Sequence, residues 1–320
     1  MTQLFRLLLI ALALLSGCRP SSPSPEPAVP AAVTVDPALL SGTNALAEVD
    51  RFVAISPRIP GTGQSAKAAL HIQQRLEAIG LEPEMDRFTN STPAGMVGFC
   101  NVVATVPGSG EGLVVLLSHT DTKPGLPDGF VGANDSGSSV GLLLEFARVL
   151  RNAQRTGPGI LLAFVDGEEC RKTYGSSDGL HGSRRLVAWL HERQLADHVH
   201  AAIVLDMVGD RNLSVTIPRN SSAKLVSMAF QAATAEGVRT RFSLYGQDIL
   251  DDHDSFLNAG IPAIDLIDFN YGSRPGANDY WHTTDDTMDK LSAESLQAMG
   301  RVVLRMVNRL SASIPVHAVP

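Results

Sequence analysis

The sequence predicts an α/β domain in which a largely parallel sheet is covered by helices on both faces, a three-layer α/β/α arrangement. Helix-like and strand-like segments alternate along the chain, and the strand-like runs are short and rich in leucine or β-branched residues. Several of these runs end in acidic or histidine-containing sequence. Because ligands bind at the carboxyl ends of strands in open α/β sheets, the third observation also predicts where a functional site lies.

Composition limits the class of protein. The chain has 320 residues, of which 44% are hydrophobic, 18% charged and 5% aromatic, which suits one large or two ordinary domains with a substantial core. A formal net charge of -7 and the lack of a basic stripe in the sequence argue against nucleic-acid binding.

Residues 1–18 are predicted to be a signal peptide. Arg6 provides a positive start, and the apolar residues 7–15 are far fewer than the roughly 20 that span a bilayer. The following Leu15-Ser-Gly-Cys18 resembles the lipobox of bacterial lipoproteins. This resemblance implies a lipid anchor on Cys18 and a location in the bacterial cell envelope, facing the periplasm or the exterior. Secretion with ordinary cleavage nearby is the alternative.

Residues 19–38 are rich in proline, serine and alanine and predict a flexible linker, so that 39–314 form the folded domain. Two cysteines follow Cys18, namely Cys100 and Cys170, which permit one disulfide without requiring it.

The elements of the domain follow from apolar periodicity. Helices are predicted at 45–55, at 66–79 and at 140–150, and the second is expected to end at Gly80. Strands are predicted at 101–106, 113–117, 160–165, 201–205 and 263–267. Turn-forming residues at 270–278 predict a loop at the edge of a pocket.

Acids and histidines cluster at the ends of these elements. Glu168 and Glu169 follow an apolar strand together with Asp166, and such neighbouring carboxylates call for a compensating cation. Imidazole and carboxylate groups without thiolate suit zinc in an open catalytic site. The other clusters are His119 with Asp121, Asp135, Asp206, Asp251 to His253, and Trp281-His282 with Asp286.

Each cluster taken alone has a simpler interpretation. His119 could be an ordinary core histidine, Asp135 a helix N-cap and Asp206 a turn former. Asp286 could mark the solvated start of the last helix, and Trp281 could be a packed aromatic residue. Several such clusters at strand ends are hard to explain in this way together.

Together these residues resemble the zinc aminopeptidase-like superfamily and, within it, the glutaminyl cyclases, which convert N-terminal glutamine of peptides to pyroglutamate. The resemblance covers nearly the whole mature domain and implies a single domain around a mixed, mostly parallel sheet. The segments that carry it are Pro57-Arg-Ile-Pro-Gly61, Thr92-Pro-Ala-Gly95, Ser118-His-Thr-Asp-Thr-Lys123, Phe130-Val-Gly-Ala-Asn-Asp135, Asp166-Gly-Glu-Glu169, Asp178-Gly-Leu-His-Gly-Ser-Arg184, Asp251-Asp-His253 and Trp281-His282.

Three features favour the cyclases over the aminopeptidases: the polar loop 170–181, the Thr92-Pro-Ala-Gly95 segment, and Trp281 just before His282. Two features depart from the animal cyclases. Tyr174 stands where they have tryptophan, and no cysteine lies beside His119, so their disulfide is absent here.

The resemblance implies one zinc ion held by Asp135, Glu169 and His282, with a fourth position open for substrate. Glu168 is implied to carry a proton from the substrate amine to the departing ammonia, and strand alternation predicts that it faces the cavity.

Four further residues complete the predicted site. Asp206 and Asp251 would hydrogen-bond the amine, the leaving group or Glu168, while Trp281 and Tyr174 would contact the substrate. The expected partners are peptide or protein N-termini, with no nucleic acid, and with the membrane reached only through the lipid anchor; the oligomeric state stays open.

Two alternatives use the same chain differently. In a di-zinc aminopeptidase, His119, Asp206 and a bridging Asp135 would hold a second zinc ion, and Glu168 would activate a water molecule. A lipid-tethered binding module without activity is the other alternative, and the intact set of metal and proton-transfer residues disfavours it.

Overall fold

The computed structural model describes residues 33–312. The predicted signal peptide and residues 19–32 of the predicted linker lie outside the described residues, as do residues 313 and 314. Residues 33–38, which composition places in the linker, belong to the folded domain. Val35 is buried and exchanges two hydrogen bonds with Asn308, of 3.0 and 2.7 Å. Composition could not predict that these residues are folded, because Val35 is a single buried apolar residue in a stretch rich in proline and alanine.

Seven α-helices lie within residues 33–312, and those predicted at 45–55, 66–79 and 140–150 are confirmed to within three residues. Two of these three begin one turn early because Ser41 and Thr62 cap them, accepting the N–H groups of Asn44 and Ser65. None of the described helices is both long and apolar enough to cross a membrane. The helices are α1 (Gly42–Val53), α2 (Gly63–Ala78), α3 (Ser139–Asn152), α4 (His181–Glu192), α5 (Ala223–Ala235), α6 (Asp252–Asn258) and α7 (Ala293–Ala312).

Within the described part of the chain, eight strands form one mixed sheet in the order β1-β2-β4-β3-β5-β8-β6-β7. The central strands β4, β3, β5 and β8 are parallel to one another. The antiparallel pairs are β1 with β2, β2 with β4, and β6 with β8, while β6 and β7 are parallel. The predicted sandwich with a mixed, mostly parallel core is confirmed. The strands are β1 (Glu84–Thr92), β2 (Gly95–Val106), β3 (Leu113–His119), β4 (Gly159–Val165), β5 (Val199–Asp206), β6 (Val215–Ile217), β7 (Phe242–Leu244) and β8 (Ala263–Ile267).

The segment Thr92-Pro-Ala-Gly95 is the turn of a β1–β2 hairpin that the sequence did not predict. The Thr92 hydroxyl donates to the Gly95 carbonyl at 2.9 Å, and Gly95 has a φ of 95°, which glycine adopts without steric cost. Strand β2 therefore begins six residues before the predicted start at 101.

Two apolar layers cover the sheet. Helices α1, α2, α3, α5 and α7 pack on one face, around residues such as Phe146 and Met299. Helices α4 and α6 pack on the other face through Leu186, Trp189 and Phe256. Because the four central strands run parallel, their carboxyl ends meet at one edge of the sheet, where the acidic and histidine clusters come together.

Candidate metal centre and active-site cavity

The acidic loop after β4 is shaped by one buried carboxylate, Asp121. It accepts the backbone N–H groups of Gly167, Glu168 and Glu169 at 2.9, 3.1 and 3.1 Å. Strand β4 ends at Val165, so both glutamates lie in the loop and both line the same cavity. Glu168 lines the cavity as predicted, but strand alternation is not the cause, because Glu168 lies beyond the strand. The loop and its hydrogen bonds to Asp121 set the direction of its side chain.

Asp135, Glu169 and His282 bring three potential metal ligands together. His282 Nε2 lies 3.2 Å from Asp135 Oδ2 and 2.8 Å from Glu169 Oε1. Burial lowers the pKa of His282, but the two carboxylates outweigh it and raise that pKa to about 10. A site that holds a proton so firmly is a strong site for a cation, and two carboxylates with one imidazole fit zinc.

A second possible metal group shares Asp135 with the first. His119 Nε2 lies 3.1 Å from Asp135 Oδ1 and 3.4 Å from Asp206 Oδ1. The two oxygens of Asp135 thus face different histidines, as a bridging ligand would. Burial lowers the pKa of His119, but hydrogen bonding to Asp121, Asp135 and Asp206 raises it well above its usual value.

Glu168 lies beside the first group, with 4% of its surface exposed. Its Oε1 accepts the hydroxyl of Tyr174 at 2.8 Å. Burial, followed by the charges of Glu169 and Asp251, raises the pKa of Glu168 well above its usual value. A raised pKa suits a carboxyl that must both accept and return a proton near neutral pH.

Asp206 and Asp251 face the same cavity from β5 and from the start of α6. Burial raises the pKa of each to about 6, and the nearby His119 opposes this shift in both cases. Asp251 also caps α6 by accepting the N–H of Asp252. Their carboxylates are therefore available to bind polar groups of a ligand close to Glu168.

A cavity of about 310 Å³ opens over these residues. Trp281 stacks on His282 with 4.0 Å between ring centroids and keeps 38% of its surface exposed, which disfavours a purely packed role. A larger cleft, of about 490 Å³, lies between α2 and the β1–β2 hairpin and contains none of the candidate ligands. The smaller cavity is lined by Asp135, Glu168, Glu169, Tyr174, Asp206, Tyr245, Gln247, Asp248, Ile249, Leu250, Asp251, Ile267, Phe269, Trp281 and His282.

One wall of the cavity comes from a segment that the sequence did not indicate. Tyr245 and residues 247–250 form this wall, next to the predicted Asp251, whereas residues 270–278, predicted to form the pocket edge, do not line the cavity. Strand β7, which precedes the wall, has three residues, and so short a strand leaves no recognisable periodicity.

Lys123 was also missed as a neighbour of the metal group. Its Nζ lies 3.2 Å from Glu169 Oε2 and 3.2 Å from Cys170 Sγ. Lys123 ends the segment Ser118-His-Thr-Asp-Thr-Lys123, which carries part of the resemblance, but a lysine gives no metal-ligand signal. Cys170 and Cys100 are both free, buried thiols, so they do not pair.

Comparison with known proteins agrees with this geometry. The model of peptidase family M28 matches residues 101–307. A glutaminyl-peptide cyclotransferase-like protein of Bos taurus is 31% identical over 289 residues, covering 79% of this chain and 71% of that protein. The crystal structure of a glutaminyl cyclase from an Acidobacteriales bacterium superimposes with a TM-score of 0.80 and 33% identity, over 92% of this chain and 99% of that one.

A peptidase relative is similar as well. The crystal structure of a Zn-dependent exopeptidase from Parabacteroides distasonis superimposes with a TM-score of 0.72 and 27% identity, over 83% of this chain and 97% of that one. The segment matched to the family contains every candidate metal ligand, and the Bos taurus relative extends the similarity over most of both chains. The chain therefore belongs to peptidase family M28 and, within it, to the glutaminyl-peptide cyclotransferases.

Proposed function

We propose that this protein is a zinc-dependent glutaminyl-peptide cyclotransferase, which closes the N-terminal glutamine of peptides or proteins to pyroglutamate and releases ammonia. The observation that carries the proposal is the loop between Glu169 and α4, which brings Tyr174 to Glu168 beside the metal group. Together with Trp281 this loop encloses the glutamates in a small aromatic-walled cavity, which suits one N-terminal side chain. The named cyclases among its relatives support the same conclusion.

Zinc is the metal on which family M28 depends. We propose one ion, held by Asp135, Glu169 and His282, whose donor atoms lie within 4.8 Å of one another. When bound, it would polarise the γ-carbonyl of the substrate glutamine and make its carbon more electrophilic. Lys123, beside Glu169 Oε2, holds the outer oxygen of that carboxylate.

Glu168 moves the proton. The α-amine of a peptide has a pKa of about 8 and is mostly protonated at neutral pH. Glu168 accepts this proton, and the free amine attacks the γ-carbon to form the ring C–N bond. Glu168 then returns the proton to the side-chain nitrogen, whose bond to the γ-carbon breaks. The departing ammonia takes up the remaining extra proton of the ring nitrogen, so that the products are the neutral ring amide and ammonium, and no other reactant is consumed.

Two pairs of residues orient the substrate. Asp206 and Asp251, which line the same cavity as Glu168, would bind the amine and the leaving group through hydrogen bonds. Trp281, stacked on His282, and Tyr174, bonded to Glu168, would form opposite walls around the glutamine side chain. The raised pKa of both aspartates reflects burial, which also strengthens their hydrogen bonds to a charged amine.

The second candidate function is a di-zinc aminopeptidase. One observation favours it: His119, Asp135 and Asp206 form a complete second group of possible ligands that shares Asp135 with the first. Similarity to the Zn-dependent exopeptidase is consistent with this alternative. In that enzyme class, Glu168 would serve as the base for a water molecule rather than for the substrate amine.

The two candidates give different products. The purified protein is incubated with a Gln-initiated peptide and with a matched Leu-initiated peptide, and the products are followed by mass. We expect the first peptide to lose ammonia and otherwise stay intact, and the second to stay unchanged. Release of a free N-terminal residue from either peptide, with two zinc ions bound per chain, would instead establish the aminopeptidase.

We also propose that the chain is a lipoprotein of the cell envelope, tethered through Cys18. The support is the positive Arg6, the apolar residues 7–15 and Leu15-Ser-Gly-Cys18. In a bacterial host, the full chain should partition with the membrane fraction and incorporate labelled fatty acid, and Cys18→Ala should do neither. Equal partitioning of the two chains would contradict the proposal.

A further inference from the structure

The loop that presents the metal ligand Asp135 is held on its carbonyl side by a buried arginine. Arg58 donates to the carbonyls of Val131 and Gly132 at 3.0 and 3.1 Å, and to that of Thr120 at 2.9 Å. Its side chain is fully buried. Burial lowers the pKa of Arg58 to about 10, so the guanidinium still carries its charge at neutral pH.

The same loop is held on its amide side by a buried carboxylate. The side chain of Asp286 accepts the N–H groups of Asn134 and Asp135 at 2.7 and 3.2 Å, and its backbone carbonyl accepts that of Ala133 at 3.4 Å. Asp286 is fully buried, which corrects the simpler interpretation of this residue as a solvated helix start. The backbone of residues 131–135 is therefore held at Val131 and Gly132 by the Arg58 side chain, at Asn134 and Asp135 by the Asp286 side chain, and at Ala133 by the Asp286 backbone carbonyl.

Asp286 also connects the loop to the second ligand segment. Asp286 follows His282 by four residues, and its backbone N–H donates to the backbone carbonyl of Thr283 at 3.1 Å. Tyr271, fully buried, donates its hydroxyl to Asp286 at 2.7 Å. His282 has a φ of 56°, a left-handed conformation that a non-glycine residue holds only when its surroundings impose it.

We infer that Arg58 and Asp286 are positioning residues of the metal centre, which act through the backbone of residues 131–135 to fix Asp135 opposite His282. Neither side chain is among the residues that line the cavity. The inference rests on the proposed role of Asp135 as a zinc ligand. Outer residues that orient metal ligands typically contribute about 10- to 100-fold in metal affinity.

Zinc affinity, measured by competition with a chelator, tests the inference. We expect Asp286→Asn and Arg58→Met each to weaken zinc binding about 10-fold or more. Asn134 and Asp135 donate to different oxygens of Asp286, so Asp286→Asn keeps one acceptor but turns an amide donor toward one of the two N–H groups. Arg58→Lys should lie between wild type and Arg58→Met, because it keeps the charge but not the fork of donors. Excess zinc should restore part of the cyclase activity in each variant.

Matched controls separate positioning from simple loss of stability. Asp268 is a fully buried carboxylate that accepts two backbone N–H groups, of Ser214 and Asn270, both at 2.8 Å. Arg155 donates to the backbone carbonyls of Val106, Pro107 and Pro158. These lie near the start of β4, whereas the candidate ligand Glu169 follows the end of that strand. Asp268→Asn and Arg155→Met should lower stability without changing zinc affinity.

Tyr271→Phe is a milder variant that tests the same contact even if Asp286→Asn does not fold. It removes only the hydroxyl that donates to Asp286. We expect it to weaken zinc binding by a smaller but measurable factor. Zinc affinities within twofold of wild type in Tyr271→Phe and Arg58→Lys, or equal losses in the two controls, would overturn the inference. A wild-type chain that binds no zinc would overturn the proposed metal site itself, and this inference with it.

Discussion

Glu168 and Glu169 are neighbours in the chain, yet their carboxylates have different surroundings. Glu169 lies between His282 and Lys123, at 2.8 and 3.2 Å, which is the environment of a metal ligand. The carboxylate of Glu168 accepts the neutral hydroxyl of Tyr174 rather than a charged donor, so its charge is free to change during a reaction. This difference is the basis for giving one glutamate to the metal and the other to proton transfer.

The division of roles predicts opposite effects of two similar substitutions. Glu168→Gln keeps the shape of the side chain but cannot accept a proton, so we expect zinc content to stay at the wild-type level while kcat falls about 100- to 10,000-fold. Glu169→Gln should weaken zinc binding instead. Zinc analysis and steady-state kinetics on both variants check this, and the reverse pattern would exchange the two roles.

Tyr174 is predicted to set the pH range of the reaction. Its hydroxyl stabilises the anionic form of Glu168, so Tyr174→Phe should raise the pKa of that carboxyl. Because Glu168 must be ionised to accept a proton, the acidic limb of the kcat/KM profile should move to higher pH, by about one unit for one hydrogen bond to a charged group.

Tyr245→Phe provides the control for this profile, since Tyr245 also lines the cavity but is not bonded to Glu168. Its profile should match that of the wild type. An acidic limb that stays in place in Tyr174→Phe would show that the tyrosine does not act on Glu168.

The acids and histidines of the site could be predicted because they lie in short clusters directly after strands. His119, Asp206 and the Glu168-Glu169 pair are examples, and the structure brings them to one cavity or its floor. Asp286 could not be assigned in the same way, because it acts by accepting backbone N–H groups, and any residue type can offer those. Side chains that carry chemistry are therefore easier to recognise from sequence than side chains that hold the backbone in place.

The loop between Glu169 and α4 owes its shape to a single carboxylate. Asp178 accepts the N–H groups of Arg171, Lys172 and Thr173 at 2.6, 2.8 and 3.1 Å, directly before Tyr174. Without these bonds three backbone donors would lose their partner, and the position of Tyr174 would no longer be fixed.

We therefore predict that Asp178→Ala lowers kcat/KM for a Gln-initiated peptide about tenfold, as a small misplacement of a contact residue does, while zinc affinity stays within twofold of wild type. Asp178→Asn, which keeps one acceptor oxygen, should have an intermediate effect. Kinetics and chelator competition on the two variants check this. Full activity in Asp178→Ala would mean that the loop holds its shape without the carboxylate.

The elements found from sequence are those with an apolar surface long enough to show a period. The central strands and helices α1, α2 and α3 were found to within a few residues for this reason. Strand β1 was missed because it lies at the edge of the sheet, where charged residues such as Glu84, Asp86 and Arg87 interrupt the pattern. The part of the cavity wall at 245–250 was missed because it belongs to no regular element.

The buried acids also give the whole domain a pH-dependent stability, for which Asp268 is a test well separated in sequence from the metal ligands. Burial, with a contribution from Asp210, raises the pKa of Asp268 to about 7, against about 3.9 for an unfolded chain. The folded state therefore favours the protonated carboxyl. The contribution of the protonated Asp268 carboxyl to the free energy of unfolding is complete below about pH 4 and is lost as the pH rises to about 7.

Urea unfolding of the zinc-free protein at several pH values measures this effect. The stability of the wild type relative to Asp268→Asn should fall as the pH rises from about 4 to 7, by at most about 4 kcal/mol for a shift of three units. A difference between the two proteins that does not change with pH would contradict the assignment.

The fold as a whole explains why one edge of the sheet carries the chemistry. Four parallel strands end there, and the ends of β3, β4, β5 and β8 with the segments after them deliver the ligands and the proton carrier to a single cavity. The same scaffold serves a Zn-dependent exopeptidase, so the fold does not decide between cyclisation and hydrolysis. In this chain the loop that brings Tyr174 to Glu168 favours cyclisation.

The fate of the two glutamine nitrogens tests this claim most directly. A peptide whose N-terminal glutamine carries ¹⁵N only in its side-chain amide is incubated with the zinc-loaded protein, and both the ammonia and the peptide are analysed by mass spectrometry. Cyclisation predicts that all of the label leaves as ammonia while the α-nitrogen stays in the pyroglutamyl ring of an otherwise intact peptide. Labelled glutamine set free from a shortened peptide would contradict the account.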